Sequence, residues 1–133
     1  MLRLFLALVL ANEFCGGASA AAPRKPAEHT QSINVVLTNF AFNPQTLHLS
    51  YGRAYRLHFV NQGSDGHNFS APEFFAAAQI NAADMGAVSG GKVELGKGES
   101  RDVRLTPAAG KYAVTCTHFL HASFGMTGSI TVD

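Results

Sequence analysis

One short segment near the carboxyl end of the chain carries three side chains that bind soft metal ions. Cys116, His121 and Met126 lie on it, with four residues between each one and the next. A thiolate, an imidazole and a thioether together suit copper, and two histidines, one cysteine and a weak axial methionine form a known electron-transfer ligand set. Strand-like runs precede and follow the segment. The sequence therefore predicts a copper site on a loop between two strands, which still requires a second histidine.

The first twenty residues have the pattern of a secretory signal peptide. Arg3 gives a positive start, residues 4–11 are an apolar run, and Ala18-Ser19-Ala20 resembles a cleavage site. The run is shorter than the roughly 20 apolar residues that span a bilayer. We predict a signal peptide at 1–20, a polar tether at 21–31 and one domain at 32–133, in a protein exported to the periplasm. The alternative is an amino-terminal core helix, which the glycines at 16 and 17 disfavour.

Removal of the signal peptide leaves Cys116 as the single cysteine of the chain, because Cys15 falls within the signal. Exported proteins usually pair their cysteines as disulfides. A lone cysteine is a buried apolar filler, a reactive thiol or a metal ligand. A cysteine-rich zinc site is excluded, since it would need more thiolates or a different spacing.

The composition indicates one globular domain. The chain has 133 residues, of which 47% are hydrophobic and 14% are charged, and its formal net charge is +1. These values are not typical of a disordered chain. There is no basic stripe or polybasic run, so we expect no nucleic acid partner. We also expect no membrane span in the mature chain, and a monomer.

The frame around the loop is predicted to be mostly β. Apolar and polar residues alternate in runs such as 33–38, 55–60 and 103–105, and turn signals containing glycine or proline separate them. Short strands at this spacing favour a sandwich or a barrel. Residues 72–80 depart from the alternation, because a proline opens an alanine-rich run with apolar residues three to four apart. We predict a short helix there.

The second histidine is predicted to be His67. It follows a glycine-rich turn at the end of a predicted strand, far upstream of Cys116. A sandwich can bring two such distant loops to the same end. Taken singly, Cys116 and Met126 could fill the core, and His67 could be a turn residue. Their combination and their placement at strand ends favour the metal site.

This pattern resembles the cupredoxin family, which includes plastocyanin and azurin. The resemblance covers residues 33–133 and includes the Tyr-x-Val-x-Cys run at 112–116 and the Gly-Met-x-Gly-x-Ile-x-Val run at 125–132. It implies an all-β, Greek-key β-sandwich with a short helical insertion, and a type 1 copper centre. The residues matching the family's copper ligands are His67, Cys116, His121 and Met126. It also implies that Asn68 ties the two ligand loops together beside the thiolate.

The function that this resemblance implies is electron transfer by one copper ion. His121 would be the route for electrons, and the apolar residues around it would dock a redox partner. The alternative is a periplasmic copper chaperone or copper-resistance protein that uses the same ligands. We expect no enzyme, because the chain has no His-x-His pair and no second cysteine on the loop. His118, inside the loop, remains open as a surface residue, an electron-entry contact or an alternative ligand.

Overall fold

The computed structural model describes residues 29–133, so the predicted signal peptide and most of the predicted tether lie outside the described residues. The first strand begins at Gln31, the last residue assigned to the tether. The elements in chain order are β1 (Gln31–Thr38), β2 (Ala41–Asn43), β3 (Thr46–Leu49), β4 (Tyr55–Asn61), β5 (His67–Ser70), α1 (Pro72–Ala77), β6 (Gln79–Ile80), a 3-10 helix (Ala82–Ala87), β7 (Lys92–Leu95), β8 (Ser100–Thr106), β9 (Gly110–Thr115) and β10 (Thr127–Val132).

The strands form two five-stranded sheets, which confirms the predicted all-β sandwich. Sheet I has the order β2-β1-β4-β8-β6, and sheet II has the order β3-β10-β9-β5-β7. Most neighbours are antiparallel, but β1 runs parallel to β4 and β3 runs parallel to β10. Each sheet therefore pairs strands that are distant from each other in the sequence.

The inner faces of both sheets supply the core. In β4, alternate residues are buried, and Leu57 and Phe59 are fully enclosed. Val93 and Leu95 of β7 and Ile130 of β10 contribute from sheet II. Burying a side chain of this size stabilises the fold by about 1.5–3 kcal/mol. The core thus gives the ligand-bearing strands a close-packed support.

The helical insertion lies between β5 and β7 and is shorter than predicted. Pro72 occupies its first turn, where a missing N–H costs nothing, and Phe74 and Phe75 are buried. The helix ends at Ala77, because Ala78 is extended and the next two residues pair with β8. The apolar spacing at 72–80 therefore continues into a strand. No helix among residues 29–133 is long and apolar enough to cross a membrane.

The topology brings the two predicted ligand loops together. Ser70 of β5 pairs with Thr115 of β9 in antiparallel register. In that register, residues before Ser70 lie beside residues after Thr115, so His67 comes close to the loop that begins at Cys116. At the other end of β10, the Asp133 N–H donates to Leu49, and the Tyr51 N–H donates to the Asp133 carbonyl over 2.6 Å.

Candidate metal centre

Three of the predicted ligands converge on one point at the end of the sandwich. The donor atoms of His67, Cys116 and His121 all lie within 4.8 Å of one another. The two Nδ1 atoms are 3.1 Å apart, and the Cys116 Sγ lies 3.4 Å from the His121 Nδ1. His67 and Cys116 are each only 1% exposed, whereas His121 is partly exposed. The site is therefore closed on one side and open on the other.

Two of the three donor separations match the bonds to a single metal ion. At protein zinc sites, bonds are about 2.0 Å to nitrogen and about 2.3 Å to sulfur, and such bonds would span 3.1 and 3.4 Å at angles of about 100°. Two imidazoles and one thiolate are the equatorial ligands that copper takes in electron-transfer sites. Both the spacing and the chemistry of the donors suit copper.

The His67 imidazole fits against the turn that precedes it. Its Nε2 lies 3.3 Å from the Asn39 Oδ1, and an imidazole that donates there leaves a lone pair on Nδ1 for a metal. A side chain on Gly63 would overlap both the imidazole and Asn39. Burial, and then the neighbouring His121 and His118, lower the pKa of His67, which favours the neutral, ligating form.

Asn61 shapes that turn from within the core. Its side chain is buried; the oxygen accepts from the Gly63 N–H, and the amide donates to the carbonyls of Asp65, Leu95 and Gly96. These bonds link the turn that precedes His67 to the end of β7. The conformation that presents His67 is therefore fixed before a metal binds.

Met126 closes the ligand loop. Its carbonyl accepts from the Cys116 N–H, and its own N–H donates to the His121 carbonyl. The side chain is fully buried. The loop backbone therefore contains direct hydrogen bonds among three predicted ligands. Leu120, just before His121, has φ of 63°, a left-handed conformation that is unfavourable for leucine.

Asn68 joins the two loops through its side chain. The Oδ1 accepts from the Thr117 N–H over 2.9 Å, and the Nδ2 donates to the Thr117 hydroxyl and to the Glu94 carboxylate. Asn68 directly follows His67, and Thr117 directly follows Cys116. The hydrogen bonds between Asn68 and Thr117 therefore join the residues next to two predicted ligands. This is the geometry that the resemblance implied for Asn68.

His118 lies outside the group of converging donors. Its Nε2 is 2.5 Å from the Glu94 Oε1, and its imidazole stacks on that of His121 with 5.4 Å between ring centroids. Burial raises the pKa of Glu94, but hydrogen bonds from Asn68 and His118 outweigh it, and the pKa falls below its ordinary value. The contact with Glu94 occupies one of the two ring nitrogens of His118.

Exposed apolar side chains surround His121. We call Phe40, Phe119, Leu120 and Phe124 the apolar patch. Phe119 is 87% exposed and Phe124 is 63% exposed. The Phe40 ring packs edge-on against His121 with 5.2 Å between centroids and also contacts Phe124. Residues 116–126 include no Asp, Glu, Lys or Arg. The open side of the site is therefore apolar and carries no fixed charge of its own.

Sequence reasoning missed four residues that shape the site. Asn39, Phe40 and Glu94 contact a predicted ligand or a residue next to one, and Asn61 bonds to the turn that precedes His67. The Asn39-Phe40 turn was a detectable signal, because it separates two strand-like runs. For Asn61 and Glu94, no local pattern indicates the contact, which depends on pairing between distant strands.

The structure resembles several solved structures. Auracyanin B is 29% identical, with a TM-score of 0.57 over 86% of this chain and 95% of that chain. Auracyanin from the photosynthetic bacterium Roseiflexus castenholzii is 20% identical, with a TM-score of 0.57 over 78% of this chain and 98% of that one. A multicopper oxidase from Campylobacter jejuni is 12% identical, with a TM-score of 0.58, and this chain covers only 32% of it. The last two likenesses show the fold alone.

No sequence among the curated proteins matches the chain. A family model does match residues 29–133, that of the copper binding proteins of the plastocyanin/azurin family. That range includes both sheets, the converging donors and the loop that carries them. The chain belongs to the plastocyanin/azurin family of copper-binding proteins.

Proposed function

We propose that this protein is an exported one-electron carrier with a mononuclear type 1 copper site. The observation that carries the proposal is the convergence of the His67, Cys116 and His121 donors within 4.8 Å, on a frame that hydrogen bonds hold in place. In the proposed site, Met126 would supply the fourth ligand, a weakly bound thioether. When bound, copper supplies a Cu(II)/Cu(I) couple that nitrogen and sulfur ligands together tolerate in both states.

The protein's contribution is to keep the ligands nearly still during electron transfer. Asn39 and Gly63 confine His67, and Asn68 fixes the backbone beside Cys116. Ligands that move little between oxidation states give a low reorganisation barrier. Burial of the thiolate also excludes water from the metal, and metal binding requires the deprotonated sulfur.

Electrons would enter and leave through His121. It is the ligand on the open side of the site, and the apolar patch surrounds it. An exposed apolar surface of this kind suits a protein partner. Because the ligand loop carries no charged residue, we propose a redox partner that docks mainly by apolar contact and not by electrostatic steering.

The first test of the copper site is optical. Purified residues 21–133 should become intensely blue with Cu(II) through thiolate-to-copper charge transfer, and Cys116→Ser should abolish the colour while the fold survives. His48→Ala is the control, since His48 is exposed on β3 and belongs to no donor group among the described residues. A wild-type protein that stays colourless with Cu(II) would refute the type 1 site.

A second experiment separates the carrier from a copper chaperone with the same ligands. A carrier should show a reversible potential and fast electron exchange with retention of its copper. Transfer of the copper to an apo-acceptor, together with slow electron exchange, would favour the chaperone. Cell fractionation of the full chain tests the proposed periplasmic location, since a cytoplasmic, unprocessed protein would contradict it.

A further inference from the structure

Glu94 connects to both ligand loops through separate carboxylate oxygens. Oε2 accepts from Asn68, the residue after His67, over 2.9 Å, and Oε1 bonds to His118. The register explains this, because Glu94 of β7 pairs directly with Asn68 of β5. One exposed carboxylate on the edge strand of sheet II therefore bonds to a residue from each of the two segments that bring the donors together.

His118 links this carboxylate to a predicted ligand. Its imidazole lies nearly parallel to that of His121, with 21° between the planes. A side chain on Gly66 would come within 3.3 Å of its Cε1, so the imidazole lies against the turn before His67. His118 is thus held by Glu94 at one nitrogen and by the turn at its edge.

Few other side chains contact the solvent-exposed side of the His121 imidazole. It is partly exposed, and the ring of Phe40, itself exposed, packs edge-on against it. The preceding residue, Leu120, has an unfavourable backbone conformation that surrounding contacts must maintain. Apart from the buried His67 and Cys116 beside its Nδ1, this imidazole therefore contacts exposed or partly exposed side chains.

We propose that Glu94 and His118 form a positioning pair, in which the Glu94–His118 bond fixes the stacked orientation of the His121 imidazole toward copper. The pair binds no metal itself. This inference rests on the proposed copper site, and it assigns the one histidine of the loop for which the ligand pattern has no role.

Three variants test the pair. Glu94→Leu has similar volume but accepts no hydrogen bond, His118→Phe keeps an aromatic ring for stacking but cannot bond to Glu94, and Glu94→Gln retains partners for both Asn68 and His118. Asp102→Leu is the matched control, because Asp102 bonds to His58 in the same way on sheet I, away from the site. The readouts are the His121 ring-proton chemical shifts of the apo-protein and the charge-transfer spectrum of the copper-loaded protein.

We expect Glu94→Leu to shift the His121 ring protons, and both Glu94→Leu and His118→Phe to redistribute the charge-transfer bands, whereas Glu94→Gln stays near wild type and Asp102→Leu leaves both readouts unchanged. The charge-transfer bands of the double variant should show no change beyond that of Glu94→Leu alone, since Glu94→Leu already breaks the contact that His118→Phe breaks. If Glu94→Leu leaves the His121 resonances unchanged and neither single variant alters the band pattern, even with a lower unfolding midpoint, the proposal is overturned. Additive effects in the double variant would overturn it as well. Because the resonances are measured without copper, a failure of the pair is distinguishable from a failure of the carrier function.

Discussion

The two imidazoles of the metal centre lie in opposite surroundings, although their Nδ1 atoms are only 3.1 Å apart. His67 is buried, bonded to Asn39 and pressed against Gly63. His121 is partly exposed and contacts the apolar patch and His118. One ligand belongs to the rigid interior and the other to the surface. A carrier needs both properties, because the ligands must stay still while the metal remains within reach of a partner.

The largest effects should come from removing each imidazole in turn. His67→Gly and His121→Gly should both lose the blue colour, because each lacks one of the three converging donors. Added imidazole should restore the colour in His121→Gly at about tenfold lower concentration than in His67→Gly, a difference of about 1.4 kcal/mol, since only the former site opens to solvent. Titration by visible absorption measures the imidazole concentration that restores the colour. Equal rescue of the two variants would contradict the difference in solvent access between the two imidazole positions.

A single methyl group should damage the buried side. Gly63→Ala places a Cβ inside the His67 imidazole, which must then move. Disturbing the contacts that orient a metal ligand typically lowers metal affinity by about 10–100-fold, and we expect a loss in that range, measured by competition with a chelator. Gly86→Ala is the control, because its Cβ would meet nothing within 4 Å. Unchanged copper affinity in Gly63→Ala would show that the turn can make room for the methyl group without displacing His67.

Substitution in the apolar patch should slow electron exchange with a partner and leave the metal site unchanged. Phe124→Lys should reduce electron exchange with an apolar-docking partner by about tenfold, since a desolvated ammonium costs more than 1 kcal/mol. The reduction potential should stay near wild type. Tyr51→Lys, which changes an exposed aromatic residue beside Asp133, is the control for added charge. Stopped-flow kinetics would refute the assignment if both variants slowed exchange equally.

The smallest effect concerns the backbone on the exposed side. Leu120→Gly should raise the free energy of unfolding by about 1 kcal/mol, because relief of the left-handed strain exceeds the added entropy of the unfolded chain. Phe40 has a similar φ of 62°, but Phe40→Gly would also remove the contact with His121. It should therefore destabilise the protein. Chemical denaturation distinguishes the two, and loss of stability in both variants would argue against strain at Leu120.

Local patterns were sufficient to propose the ligand loop, since Cys116, His121 and Met126 lie on one contiguous segment whose spacing is visible in the sequence. Alternation also predicted the sandwich, because one face of each strand packs on the core. The supports of the site were not predictable. Glu94 contacts Asn68 only because β7 and β5 pair in that register, and His58 contacts Asp102 for the same reason on sheet I. Such contacts follow from the pairing of distant strands, which no local spacing reveals.

The backbone hydrogen bond from Tyr51 to Asp133 holds the end of β10 against the sandwich, and the position of Asp133 has a practical consequence. Strand β10 runs from the ligand loop to Asp133, so this residue lies about 20 Å away along the strand, at about 3.3 Å per residue. A thiol, peptide tag or electrode linker attached beyond Asp133 would hold the molecule by the far end of its sandwich. Immobilised in that orientation, the protein would present the His121 face to solution, where a partner could reach it.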